Sequence, residues 1–209
     1  MNHFRSIKQE STATITLATD RSGSIIILLL AGLLIPMLTL SVAFAAEIKT
    51  LDVAINNGEI TVSGSVALDE AFINETKNGI QKELVFYIDL FRVWKNWADE
   101  YVTGNIIERK IAGDVIKGEY LIRSFDRNRK VIIERKFRSF ESMMEWFTEV
   151  KSLHLINIKS IEPGEYYVRF TVESRLRKLP PVVGYLLFFI PEKEFSVYKD
   201  SPVFKIGER

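Results

Sequence analysis

From residue 46 onward, apolar and polar residues largely alternate, the pattern of half-buried β-strands whose successive side chains point to opposite faces. In KTLDVAINNGEITVSGSV, Leu51, Val53 and Ile55 alternate up to Asn57-Gly58, and Ile60 and Val62 resume beyond it. Asn-Gly between two such runs predicts a hairpin, because both residues tolerate positive φ. LDEAFINETKNG breaks the alternation, and Asp69 is placed to cap a short helix stopping at Gly79. In LVFYIDLFRVWKNW, Leu84, Phe86, Ile88 and Leu90 form one wholly apolar face, and Val85, Tyr87, Asp89, Phe91 and Val93 form a mixed one. This predicts a central strand. Asp89 and Arg92 are an odd number of residues apart, so a regular strand sends them to opposite faces and denies them a direct acid–base pair.

Two further runs, 118–125 and 130–137, predict a second hairpin about Asp126-Arg127-Asn128-Arg129. It carries Arg123, Arg127, Arg129, Lys130, Arg135, Lys136 and Arg138, interleaved with Glu119, Asp126 and Glu134. Such a face is either solvated for its own sake or a patch for anionic headgroups and acidic polymers. SFESMMEWFTEVKS predicts an amphipathic helix with Ser139 as its N-cap and Phe140, Met143, Met144, Phe147 and Val150 on one stripe. Two strands flank Glu162-Pro163-Gly164-Glu165, the second setting Tyr166, Val168, Phe170 and Val172 against Tyr167, Arg169, Thr171 and Glu173. VVGYLLFFI, ended by Pro191, reads as a buried segment, and 195–198 as a closing strand.

About eight short strands, with one helix between the sixth and seventh and no βα alternation, predict a mainly β fold. The expected architecture is an antiparallel β-sandwich, immunoglobulin-like or similar, with one inserted amphipathic helix, preceded by an N-terminal hydrophobic leader helix. Within the 209 residues the predicted division is a leader, 1–45, and a single domain, 46–209. The leader is apolar from Ile25 to Leu40 and ends in Ala43-Phe44-Ala45, small residues where a signal peptidase needs them. Cleavage between Ala45 and Ala46 makes it a signal peptide. Left uncut, residues 25–46 are long enough to anchor the chain in the inner membrane, its only expected membrane contact. Either way the body is expected outside the cytoplasm, periplasmic after cleavage.

Charge and rare residues narrow the chemistry. The chain has 28 Lys and Arg against 27 Asp and Glu, and from residue 46 there are 25 of each sign, a balance that argues against nucleic acid as partner. With no cysteine, disulfides, thiolate nucleophiles and zinc ribbons are excluded. Of the two histidines, His3 lies in the leader, and His154 sits between leucines as a structural histidine would. No HExxH, GxGxxG, GxxxxGK[ST] or GxSxG is present, so no cofactor is expected. Trp94 and Trp97 stand beside Asp99 and Glu100, the residue types of a sugar-stacking surface with an acid–base pair. The alternative is that both tryptophans cover the end of the core. Candidate ligand- or partner-binding residues are therefore Trp94, Trp97, Arg123 and Arg135, with no catalytic residue assigned.

The order of NGIQKELVFYIDLFRVWKNWADE, LIRSF, RSFESMMEW and IEPGEYYVRFTVESRLRKLPPVVGYLLFF resembles the bacterial family known as domain of unknown function 4390, from about Leu51 to Phe204. The closing EFSVYKDSPVF departs from the family pattern by lacking a tryptophan. The resemblance implies an exported protein of bacteria with two membranes, without assigned activity, often encoded beside a membrane-bound sensor histidine kinase. It therefore implies a non-catalytic interaction or regulatory module whose partner is an envelope protein, a sensor kinase being one candidate. A glycan- or lipid-binding envelope protein and a carboxylate-dependent hydrolase are the alternatives.

Overall fold

The computed structural model describes residues 46–175 and 193–207. The leader, 1–45, and most of the VVGYLLFFI segment's surroundings, 176–192, lie outside the described residues, and with them the expected leader helix, the Ala45 side of the cleavage site and that buried segment. Among the described residues no helix is long and apolar enough to cross a membrane.

The described chain forms ten strands and two α-helices. In order these are β1 (Ala46–Asn56), β2 (Glu59–Leu68), α1 (Glu70–Lys77), β3 (Glu83–Arg92), β4 (Glu100–Ile111), β5 (Tyr120–Asp126), β6 (Val131–Phe137), α2 (Phe140–Thr148), β7 (Glu149–Asn157), β8 (Gly164–Arg175), β9 (Lys193–Asp200) and β10 (Phe204–Ile206). A short 3-10 turn, Ile158–Ser160, follows β7. All pairings are antiparallel. One sheet has the order β1-β2-β7; the other runs β10-β8-β3-β4-β5-β6, with β9 also paired to β8. The mainly β class and the helix inserted between β6 and β7 are as expected. Ten strands stand against the expected eight or so: the excess lies at the end of the chain, where β9 covers the closing 195–198 run and a further short strand, β10, follows it.

Local chemistry explains the hairpins and caps. Asn57 and Gly58 both take positive φ (53° and 79°), so β1 and β2 join through the tight turn that the right-handed strand twist favours. The Asp69 carboxylate accepts from the Phe72 amide and caps α1, and Gly79 at φ 82° leads the chain out beyond it. At the β5–β6 turn, Asp126 Oδ1 accepts from the amides of Asn128 and Arg129. The Ser139 side chain caps α2 by accepting from the Ser142 amide. The helix is shorter than its apolar stripe implied. It ends at Thr148, and Val150 belongs to β7, still buried, because its inward direction suits either structure.

The two sheets share one core. Leu84, Phe86, Ile88 and Leu90 on β3 are fully buried, as are Val168, Phe170 and Val172 on β8, matching the predicted faces. Val85, on the mixed face, is fully buried too, so β3 is more enclosed than alternation alone implies. The sheets approach tightly at Gly64 on the middle strand of the small sheet. A Cβ there would lie 2.9 Å from the Phe170 ring of the large sheet. Phe170 in turn sits 5.9 Å from Phe86, centroid to centroid. A glycine at this one strand position makes room for an aromatic layer.

The strands after the undescribed stretch pair with β8 and are held by polar side-chain contacts as well. Buried Lys82 bridges Glu75 of α1 and Glu194 of β9, both at 2.6 Å, over the face of Phe72. Ser174 donates to the second oxygen of Glu194 at 2.9 Å. Between β9 and β10, Ser201 takes the place of a ladder residue, its amide donating to the Val168 carbonyl and its hydroxyl accepting from the Val168 amide.

Gly64→Val forces a branched side chain against the Phe170 ring and is expected to cost roughly 2 kcal/mol in urea unfolding. Combined with Phe170→Leu, the loss should be less than additive by about 1 kcal/mol. Strict additivity would show that the two residues do not share the space described.

Candidate functional site

Two arginines, on β4 and β6 of the large sheet, line a cleft beside α2. Residues 105, 107, 109 and 111 of β4 all point inward, so Arg109 occupies a core position between Ile107 and Ile111. It is 6% exposed. The guanidinium lies between Phe86 (5.3 Å) and Trp146 (4.1 Å). Its Nη1 donates to the carbonyls of Trp146 and Glu149, at the C-terminal end of α2. Helix ends carry carbonyls with no intrahelical partner, and the end of the helix dipole there favours a cation. Arg109 therefore joins β4 of one sheet to the point where α2 becomes β7 of the other.

That satisfaction is incomplete. Arg109 Nε is buried with no acceptor, and among the described residues no carboxylate pairs with the guanidinium. Burial pulls its pKa down to about 10, with the nearby Glu149 charge opposing the drop. It stays protonated at neutral pH. Beside it a cleft of about 500 Å³ is lined by Arg109, Arg135, Phe137, Trp146, Glu149 and Lys151, among others. Arg135, on β6, stacks over Phe137 (5.3 Å) and Trp146 (5.9 Å). Lys151 is already paired, 2.9 Å from Glu149 and 3.6 Å from Glu145.

The sequence candidates separate in space. Arg135 pairs across the hairpin with buried Ile122 and so faces the core side, where α2 lies. Arg123 pairs with Glu134 across the same hairpin on the outward face, its Nε 2.7 Å from Glu134 Oε1. Two more cations of that hairpin are also paired, Arg127 with Glu108 and Arg129 with Asp126. Trp94 and Trp97 lie between β3 and β4. Neither covers the core, contrary to the alternative weighed from sequence: Trp97 is 84% exposed and Trp94 42% exposed. Arg92 stacks on Trp94 at 4.3 Å and binds Glu162 at 2.5 Å. Lys95 and Asn96, between the tryptophans, make a turn that holds both away from the sheet, whereas a continued strand would have aimed one inward.

The carboxylates singled out from sequence each have a different neighbour. Glu100 accepts from Trp94 Nε1 at 3.2 Å, and Asp99 accepts from the Tyr167 hydroxyl at 3.2 Å. Asp89 lies opposite Gly104 on β4 and Arg169 on β8. A Cβ at Gly104 would fall 2.1 Å from Asp89 Oδ1, so the glycine leaves the space that the carboxylate fills. Burial raises the Asp89 pKa, and Arg169 opposes the rise. Arg169 is itself gripped by Asp200, Nε to Oδ1 at 2.7 Å and Nη2 to Oδ2 at 2.8 Å. Asp89 and Arg92 take separate partners, as their parity requires. His154 lies on the outward face rather than in the core, its Nε2 bonded to Glu59. Among the described residues no group of three or more His, Asp or Glu side chains is arranged to hold a metal ion.

Sequence reasoning missed Arg109 and Trp146. The signal was present as a parity violation: an arginine at the inward position between two isoleucines. It could mark Arg109 as buried, but not what it meets.

Arg109→Met strands two carbonyls at the end of α2 and is expected to cost about 3 kcal/mol, while Trp97→Ala should stay within about 0.5 kcal/mol of the parent in urea unfolding. Equal losses would contradict the roles described. Asp89 gives a pH test. Its folded carboxyl keeps a proton to higher pH than the unfolded one, so the folded state binds more protons. Stability therefore falls as pH rises from the ordinary aspartate pKa through the raised one. Asp89→Asn should remove that part of the fall and raise stability at neutral pH; parallel pH curves for both proteins would refute the assignment.

Comparison with known proteins supplies a family and no activity. No curated protein matches the chain, and no solved structure matches it. A family model described as Domain of unknown function (DUF4390) matches residues 43–201, and the chain belongs to that family.

Proposed function

We propose that this chain is an extracytoplasmic, non-catalytic interaction module that presents an open strand edge to a protein partner. The observation that carries the reading is β6. It pairs with β5 on one side only, at the end of the large sheet. Its first three residues, Val131, Ile132 and Ile133, are 45%, 62% and 51% exposed. Sheet edges normally carry charge or irregularity that discourages further pairing. Here Glu134, Arg135 and Lys136 do so only for the second half of the strand. A short apolar edge beside cations suits a partner that adds an extended segment by backbone pairing.

Export of the body rests on the apolar run 25–46 and its small-residue end. The sensory portion of a membrane-bound histidine kinase is the partner favoured by the gene neighbourhood that the family resemblance implies. The two sheets are read as a β-sandwich on the strength of the Gly64–Phe170 approach across them.

A second reading has its own observation. Trp97 and Trp94 project from the β3–β4 connection, which suits stacking on a sugar ring or insertion at a lipid surface. Tryptophan fluorescence that stays constant across cell-wall fragments and anionic lipids would remove it.

For the strand-edge reading, a photo-crosslinking residue is placed at Ile132 of the full chain in its native envelope, with one at Lys199 on β9 as control. The Ile132 position is expected to trap one defined protein that the control does not. Ile132→Lys should abolish that adduct while leaving stability within about 0.5 kcal/mol of the parent. Adducts of the same pattern from both positions, or none from Ile132, would sink the proposal.

A further inference from the structure

We propose that the cleft between β4, β6 and α2 is a binding site for an oxyanion carried on an apolar body, with Arg109 and Arg135 as its cations and Trp146 and Phe137 as its apolar wall. The inference does not depend on the strand-edge reading.

The argument starts from unmet donors. A guanidinium has five N–H groups, and its side-on fork, Nε with Nη2, matches the two oxygens of a carboxylate or phosphate. Arg169 shows that fork occupied within this same protein, by the two oxygens of Asp200 at 2.7 and 2.8 Å. In Arg109 the opposite nitrogen, Nη1, holds the two helix-end carbonyls, while Nε has no acceptor. A buried charge is normally paired as well as hydrogen-bonded, and partial dipoles at a helix end compensate only part of a full charge.

The neighbouring charges leave the same vacancy. Glu149 and Glu145, the two acids on the cleft, are engaged by Lys151. Among the described residues neither Arg109 nor Arg135 has a carboxylate partner; both instead stack on Trp146. Two guanidiniums, one buried with Glu149 acting on it only from beyond ion-pair contact and one exposed, thus share one indole at the wall of a cleft of about 500 Å³. That volume is in the range of small-molecule sites, roughly 300–1,000 Å³. Cations select an anion, and the Trp146 and Phe137 rings select an apolar body behind it. A hydrophilic anion alone would leave the ring surfaces wet, and a neutral hydrocarbon would leave the arginines unpaired.

The test uses the full chain carrying Trp94→Phe and Trp97→Phe, so that Trp146 is the remaining one of the three tryptophans. Octanoate, octyl phosphate, inorganic phosphate and octanol are titrated while its fluorescence is followed. At least one of the two octyl anions is expected to bind in the millimolar range or tighter, with octanol and inorganic phosphate each about tenfold weaker or more. Whichever octyl anion binds better identifies a carboxylate or a phosphate ester as the natural headgroup. Arg135→Gln lies on an exposed edge strand, so it should fold, and it should weaken binding about tenfold. Arg123→Gln, on the opposite face of the same hairpin, should leave it unchanged. Octanol binding as well as the anions, Arg135→Gln and Arg123→Gln behaving alike, or no response to either octyl anion would overturn the proposal.

Discussion

A buried arginine at the end of a helix is the constraint around which this domain is arranged. α2 ends against the large sheet, and the chain turns at once into β7 of the small sheet. Arg109 reaches from β4 of the large sheet to the carbonyls of Trp146 and Glu149. One side chain thereby closes the helix, links the two sheets and forms the floor of a cleft. The cost is a cation enclosed by aromatic rings without a counter-charge of its own. An aliphatic residue there would pack as well against Phe86, but would leave the carbonyls stranded. The same atoms thus serve stability and leave an unfilled demand for an anion.

Around that strut the core follows ordinary strand logic with one local exception. Alternating faces of β3 and β8 meet the small sheet, and at Gly64 a missing side chain admits the Phe170 ring. The final strands reach the large sheet after a stretch outside the described residues, and polar clamps hold them. Lys82 ties α1 to β9, and Ser201 bridges β9 and β10 along β8. Buried ion pairs add little net stability compared with apolar replacements, but they penalise wrong registers severely. Here such penalties fall on the pairing of the closing strands.

The β5–β6 hairpin shows how one strand pair serves two surfaces. Arg123 and Glu134 face outward and neutralise each other, whereas Arg135, one residue further along β6, turns toward α2 and Trp146. The apolar start of β6 is left on an open edge. A partner strand on that edge and an anion in the cleft would occupy adjacent ground, since Arg135 and Phe137 belong to both. The exposed tryptophans lie in a different connection, between β3 and β4, and form a separate surface.

Most of the strand and helix placement was legible in the order of residues alone, because period and turn chemistry are local properties. Asn57-Gly58 specifies a turn, Asp69 and Ser139 cap helices, and the parity of Leu84 to Leu90 sets a buried face whatever packs on it. Local pattern also stated that Asp89 and Arg92 do not pair. It did not say where α2 ends, because Val150 is inward-facing in a helix or in a strand. It could not say whether Trp94 and Trp97 cover the core, because that depends on the course of the chain between two strands. Above all, it treated Arg123 and Arg135 alike. Only the tertiary structure separated them, by placing α2 over one face of the hairpin, so that one arginine meets a glutamate and the other shares an indole with Arg109.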